Sequence, residues 1–282
     1  MKLVRYGEKG AERPGLIDAA GALRDLSDQI EDITPEALAT ARLATLKALD
    51  PAALPRINRN PRLGVPISGI GKIVAIGQNY IDHITEMGYE RPTEPVIFMK
   101  ATSALCGPTD PIIKPKGSTK LDWEVELAVV IGREARYVEE KSALDYVAGY
   151  ALMNDVSERA FQRERAGGTT KGKSADSFAP LGPWLVTADE VRDPQNLRLW
   201  TDVSGKRMQD GNTAKMVFGV AFIVAYISEF MSLQPGDVIT TGSPHGVAAG
   251  FKPPAWLKPG DVIEQGIDGL GVQKHTVVDW TG

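Results

Sequence analysis

The sequence predicts an α+β fold that is mainly β, and three features predict it. Short apolar runs of strand length recur along the 282 residues, whereas Val217–Met231 is the clearest stretch with an apolar face of helical length. The chain holds 29 glycines and 19 prolines, the punctuation that many tight connections require. Leu233–Ile239, LQPGDVI, returns as LKPGDVI at Leu257–Ile263; in each, Pro-Gly sets a turn and the apolar residues after it start a strand. Two copies make a repeated turn, not a solenoid.

The elements follow in order. Met1–Tyr6 and a second short strand at Gly15–Ile17 open the chain. Thr34 can cap a helix whose first turn suits Pro35, followed by an Ala- and Leu-rich run to Leu49. Pro51–Pro66 carries four prolines and reads as a linker. Residues 1–66 are therefore expected to form a small N-terminal domain with its linker, and residues 67–282 the main domain. Lys72–Gly77 and Pro95–Lys100 read as strands. Trp123–Ile131, WEVELAVVI, alternates and then turns continuously apolar, as a strand entering a core does. Ala143–Tyr150 reads as a short helix leading into a strand at Ala151–Asn154.

Composition narrows the function. Thirty-two Lys+Arg against 36 Asp+Glu leave a net charge of −4, which argues against a nucleic-acid binder. Cys106 is the only cysteine, which excludes an intrachain disulfide and a multi-cysteine zinc site. The opening MKLVRYGEKG lacks the apolar core of a signal peptide, and Val217–Ile227 is too short to cross a bilayer, so a cytoplasmic protein with no membrane partner is expected.

Three constellations carry chemistry. Glu124 and Glu126, two apart in a strand, point to the same face, and Asp155 follows the apolar run Tyr150–Met153. Three carboxylates at strand ends suit a hard cation such as Mg²⁺, Mn²⁺ or Ca²⁺; a solvated strand face is the alternative. His83 and Glu86, three apart on a short helix, can pair so that the carboxylate orients the imidazole and raises its basicity, as a water-activating base requires; a structural histidine is the alternative. Arg159, Gln162, Arg163 and Arg165, then the Gly167–Gly172 loop and Lys173, read as an anion-binding lid or as an exposed loop. The same stretch, GGTTKGKS, matches the phosphate-loop pattern of nucleotide-binding proteins, but polar FQRERA precedes it where a buried strand is required and two prolines follow where a helix is.

Together these segments resemble the fumarylacetoacetate hydrolase superfamily. The likeness rests on GQNYIDHITEMG, EPVIFMKATSALCGP, LDWEVELAVVIGR, AGYALMNDVSER, GKSADSFAPLGPWLV, QDGNTAKMVFGVAFIVAYIS and LQPGDVITTGSPHGV, in the family's order from about Lys72 onward. MKLVRYG…GLID resembles the small N-terminal domain of its longer bacterial members. The resemblance implies a β-sandwich roll, a homodimer, and a Mg²⁺ or Mn²⁺ cofactor held by Glu124, Glu126 and Asp155. It implies His83 and Glu86 as the dyad that activates water and Lys173 as a catalytic lysine. Lys100, Arg159, Gln162 and Ser243 fall at substrate-binding positions; Ser243 stands where members commonly carry threonine, which keeps the hydroxyl. His245 beside it is open between substrate contact and surface variation.

The implied activity is hydrolysis of the C3–C4 bond of a 2,4-diketo acid, a 2,4-diketo-3-deoxy sugar acid or an acylpyruvate, to pyruvate and a second acid. Oxaloacetate decarboxylation and keto-diacid isomerisation are the alternatives the same cradle supports.

Overall fold

The computed structural model describes residues 1–58 and 60–282. Two sheets dominate. The larger has nine strands in the order Leu23–Asp25, Arg13–Ile17, Lys2–Tyr6, Leu185–Thr187, Val147–Asn154, Val125–Ile131, Val238–Thr240, Ile73–Gly77 and Val96–Lys100. The smaller has five, in the order Lys206–Asn212, Arg198–Val203, Val262–Ile267, Gly271–Asp279 and Ile112–Lys114. The fold is mainly β, as the punctuation and strand-length runs predict.

The N-terminal strands continue the large sheet: Lys2 pairs with Val186 and Leu3 with Leu185, antiparallel. At the centre, Val125–Ile131 is buried along its whole length, and so is its antiparallel partner Val147–Asn154. Both faces of this pair are covered, which explains a continuous apolar run where a one-sided strand would alternate. Val125, Leu127, Val129 and Ile131 pack into a core shared with the helix Val220–Phe230; Ala128 and Val130 pack into the opposite core with Trp123, Phe178 and the N-terminal Leu3, Leu26 and Ile33. Among the described residues no helix is long and apolar enough to cross a membrane.

The repeated turns work alike. Gly236 and Gly260 take left-handed φ values of 82° and 93°. Asp237 accepts from Gln234 N at 2.6 Å and Asp261 from Lys258 N at 2.8 Å, so each aspartate closes its own turn before a strand.

Two helices differ from expectation. The run from Thr34 to Leu49 is broken into Pro35–Leu38 and Thr40–Lys47 by Ala39, at ψ 139°; Thr34 does cap the first piece, accepting from Ala37 N. The expected helix over Ala143–Tyr150 is a 3₁₀ segment at Glu140–Tyr146, and the strand starts at Val147, where pairing with Ile131 outweighs local preference.

Candidate active site

The strand period places Glu124 and Glu126 side by side. Val125 and Leu127 turn into one core, so the glutamates share the other face at the strand's open end. Pairing of Asn154 with Val125 then brings Asp155 alongside, and Asp155 N donates to Glu124 O at 2.9 Å. Carboxylate oxygens of Glu124, Glu126 and Asp155 lie within 4.8 Å of one another, and the three residues are only 6 %, 2 % and 1 % exposed.

Such crowding must be offset. Burial and the charges of Asp155 and Glu124 push the Glu126 carboxyl well above its ordinary value; Thr240 Oγ1 and Gly242 N, the latter at 2.8 Å, donate to it. Glu124 moves the other way: burial alone would raise it, but Arg159 and Lys173 outweigh that and hold it well below the usual range. Lys173 Nζ bridges Glu124 and Asp155. Lys100 Nζ, wholly buried, bonds Asp155 Oδ1 at 2.5 Å and the Val156 carbonyl. Arg159 reaches Glu124 with one nitrogen and Asp122 Oδ2 with another, the latter at 2.8 Å. Asp122 also accepts from Ala248 N at 2.6 Å and Ala249 N at 3.3 Å.

The dyad stands on the helix Ile81–Met87. His83 Nδ1 lies 3.1 Å from Glu86 Oε2, and Glu86 Oε1 accepts from Gly246 N at 2.9 Å. His245 pairs with Asp82 on the same helix at 3.1 Å. One loop, residues 242–249, thus supplies main-chain donors to Glu126, Glu86 and Asp122.

A cavity of about 150 Å³ joins these parts; His83, Glu124, Glu126, Asp155, Arg159, Gln162, Lys173 and Ser243 line it. Lys100 and Glu86 stand behind that wall, against Asp155 and His83. Ser243 Oγ donates to Val125 O at 2.9 Å and accepts from Gln209 Nε2, so its hydroxyl is already engaged. Sequence reasoning missed Asp122, Gln209 and Tyr89. Tyr89 lines the cavity, and its hydroxyl accepts from Arg163 at 2.7 Å. The site partners of Asp122 and Gln209, Arg159 and Ser243, lie more than thirty residues away in the chain, and no local pattern marks them.

The phosphate-loop pattern does not form that loop. Thr169–Lys173 is a five-residue helix preceded by another helix, Arg159–Arg163, and the Lys173 ammonium is buried against carboxylates.

The family model described as "Fumarylacetoacetate (FAA) hydrolase C-terminal" matches residues 72–278. The chain belongs to the fumarylacetoacetate hydrolase superfamily. A Burkholderia cenocepacia member, named only provisionally as a hydrolase, is 57 % identical over 274 residues, 97 % of each chain. Among solved members, a maleylpyruvate hydrolase from Sphingobium, in complex with manganese(II) and pyruvate, is 30 % identical, covers 100 % of both chains and superposes with a TM-score of 0.82. A 2-hydroxyhepta-2,4-diene-1,7-dioate isomerase from Mycobacterium marinum is 31 % identical, covers 100 % of both chains and has a TM-score of 0.76. The superfamily therefore spans more than one reaction on this fold. In this member the donor set fits a divalent cation: three buried carboxylates, close enough to share one ion, with no thiol or imidazole among them.

Proposed function

We propose that this chain hydrolyses the C3–C4 bond of a 2,4-diketo acid, giving pyruvate and a second acid, with Mg²⁺ or Mn²⁺ held by Glu124, Glu126 and Asp155. The observation that carries the reading is His83, paired with Glu86 behind it, on the same cavity wall as three buried carboxylates. The cation would supply Lewis-acid stabilisation of negative charge at the 2-keto oxygen.

The chain's own groups supply the rest. Glu86 engages His83 Nδ1, which leaves the other ring nitrogen to take a proton from water. The water oxygen bonds to C4, the C3–C4 bond breaks, and its electron pair stays with the pyruvate half as an enolate. Protonation at C3 gives pyruvate, and C4 departs as a carboxylic acid. Arg159 and Gln162, joined at 3.3 Å, orient the substrate, and Lys173 adds positive charge beside the reacting oxygens. Tyr89, Val96 and Phe98 on the cavity wall face the distal half, a deoxysugar remnant or an acyl chain. The same reading carries a cytoplasmic homodimer in which residues 67–282 hold the whole site and residues 1–66 form an accessory unit.

Likeness to the isomerase favours a second reading, isomerisation or decarboxylation of a keto diacid, which needs no activated water. The test is pyruvate release from a panel of 2,4-diketo acids with Mg²⁺ or Mn²⁺, with excess chelator, and with oxaloacetate alongside. Chelator-sensitive cleavage of a diketo acid supports hydrolysis. Turnover of oxaloacetate alone, or of no diketo acid, overturns it.

A further inference from the structure

Val125 is the residue between Glu124 and Glu126, and its main-chain groups are held in an unusual way. The ladder between Val125–Ile131 and Val238–Thr240 ends where Thr240 pairs with Ala128. Past that end, buried main-chain groups still require partners. Side chains supply them. Ser243 Oγ donates to Val125 O at 2.9 Å, and Val125 N donates to Gln209 Oε1 at 3.1 Å. Gln209 Nε2 donates in turn to Ser243 Oγ at 2.8 Å, which closes a ring of three hydrogen bonds through Val125, Gln209 and Ser243. Val125 and Gln209 are 0 % exposed and Ser243 is 5 % exposed, so water does not compete.

The amide of Gln209 has no freedom left. Oε1 also accepts from Thr201 Oγ1 at 2.9 Å, and Nε2 also donates to Pro244 O at 2.9 Å. Thr201 accepts from Gln265 Nε2 at 3.0 Å. Gln209, Thr201 and Gln265 all belong to the five-stranded sheet, which therefore grips the nine-stranded one at the residue between the two glutamates.

We infer that Gln209 is a positioning residue for the glutamate pair, and that the Ser243 hydroxyl serves this ring and not the substrate. The inference rests on the reading of Glu124 and Glu126 as cation ligands. Their side chains leave the peptide planes on either side of Val125, and the ring holds those planes by both polar groups of that residue. Outer partners of ligands typically tune cation affinity by about 10- to 100-fold.

The test uses the full chain and Mn²⁺ alone, without substrate. Gln209→Met keeps the side-chain volume and removes the hydrogen bonds. Calorimetric titration should show its Mn²⁺ Kd raised about tenfold or more over wild type, and Ser243→Ala should move in the same direction. In the metal-free protein, hydrogen exchange at the Val125 amide should quicken in Gln209→Met. Gln273→Met is the matched control: Gln273 is another wholly buried glutamine of the same sheet, donating to Leu152 O, Pro180 O and Gly182 O. It should lower Tm and leave the Mn²⁺ Kd where it was. Wild-type Mn²⁺ affinity in Gln209→Met, or a Ser243→Ala that raises KM with the Mn²⁺ Kd unchanged, overturns the inference. If wild type itself binds no Mn²⁺, the ligand reading fails instead, and unchanged exchange at Val125 would then remove the ring as well.

Discussion

Asp122 and Arg159 are buried together, Oδ2 to Nε at 2.8 Å, and the same guanidinium extends to Glu124. Asp122→Ala leaves that charge with Glu124 alone and the Ala248 and Ala249 amides without their partner. Breaking a buried pair from one side typically costs about 3–5 kcal/mol. The urea midpoint should fall accordingly, with a smaller loss in Asp122→Asn, which keeps an acceptor. A midpoint like that of wild type would show the pair to be dispensable.

His83 separates hydrolysis from reactions that need no water. His83→Ala should lower kcat on the preferred diketo acid by about 10²–10⁴. Its Tm and Mn²⁺ titration should stay near wild-type values, because the hydrogen bond lost is the one to Glu86, which is not among the three carboxylates. Full activity of this variant on the diketo acid would overturn His83 as the group that activates water.

Lys173 and a divalent cation neutralise the same acids. Burial opposes the Lys173 charge, but Asp155 and Glu124 outweigh it and raise its pKa. In Lys173→Met only Lys100 and Arg159 remain to offset the carboxylates, so Tm should drop in the metal-free protein. Added Mn²⁺ should then raise Tm by more than it does in wild type. A smaller rise would mean that Lys173 helps to hold the ion.

His275 carries a pH dependence away from the site. Burial lowers its pKa from 6.5 to about 4, partly opposed by the Asp110 carbonyl, to which Nδ1 donates at 2.7 Å. Nε2 lies 3.2 Å from Gln273 Oε1, a hydrogen bond only when that nitrogen is protonated too, but desolvation of the ring outweighs it. Between the two pKa values the unfolded chain holds the extra proton and the folded one does not. The stabilisation is therefore whole above about pH 6.5 and is lost as pH falls toward 4, about 3 kcal/mol in all. Urea midpoints from pH 7 to 4 should show this slope, and His275→Gln should flatten it.

What local pattern could reveal differs sharply between parts of the molecule. Glu124 and Glu126 are readable as neighbours because a strand repeats every two residues, and the pair His83–Glu86 because a helix turn brings residues three apart together. The helix near Val220–Phe230 stands out by its apolar face. Long-range pairing leaves no such mark. Nothing near Lys2 announces Val186, and nothing near Gln209 announces Val125. The misjudged stretch at Val147–Tyr150 has the same cause: its strand exists because Ile131 and Val129 lie beside it.

The loop that feeds Glu126, Glu86 and Asp122 does so through backbone amides, and backbone amides survive almost any exchange of side chain. Its vulnerable positions are few. Proline at Gly246 or Ala248 would delete a donor, and any side chain at Gly242 or Gly246 meets φ values of 93° and 95° with Asn79 or the Met208 carbonyl in the way. Ser243 is held by its side chain in the ring with Val125 and Gln209; at the other positions, His245 included, sequence can drift without disturbing the acids. The acid framework is therefore written in the path of this backbone more than in the letters of its sequence.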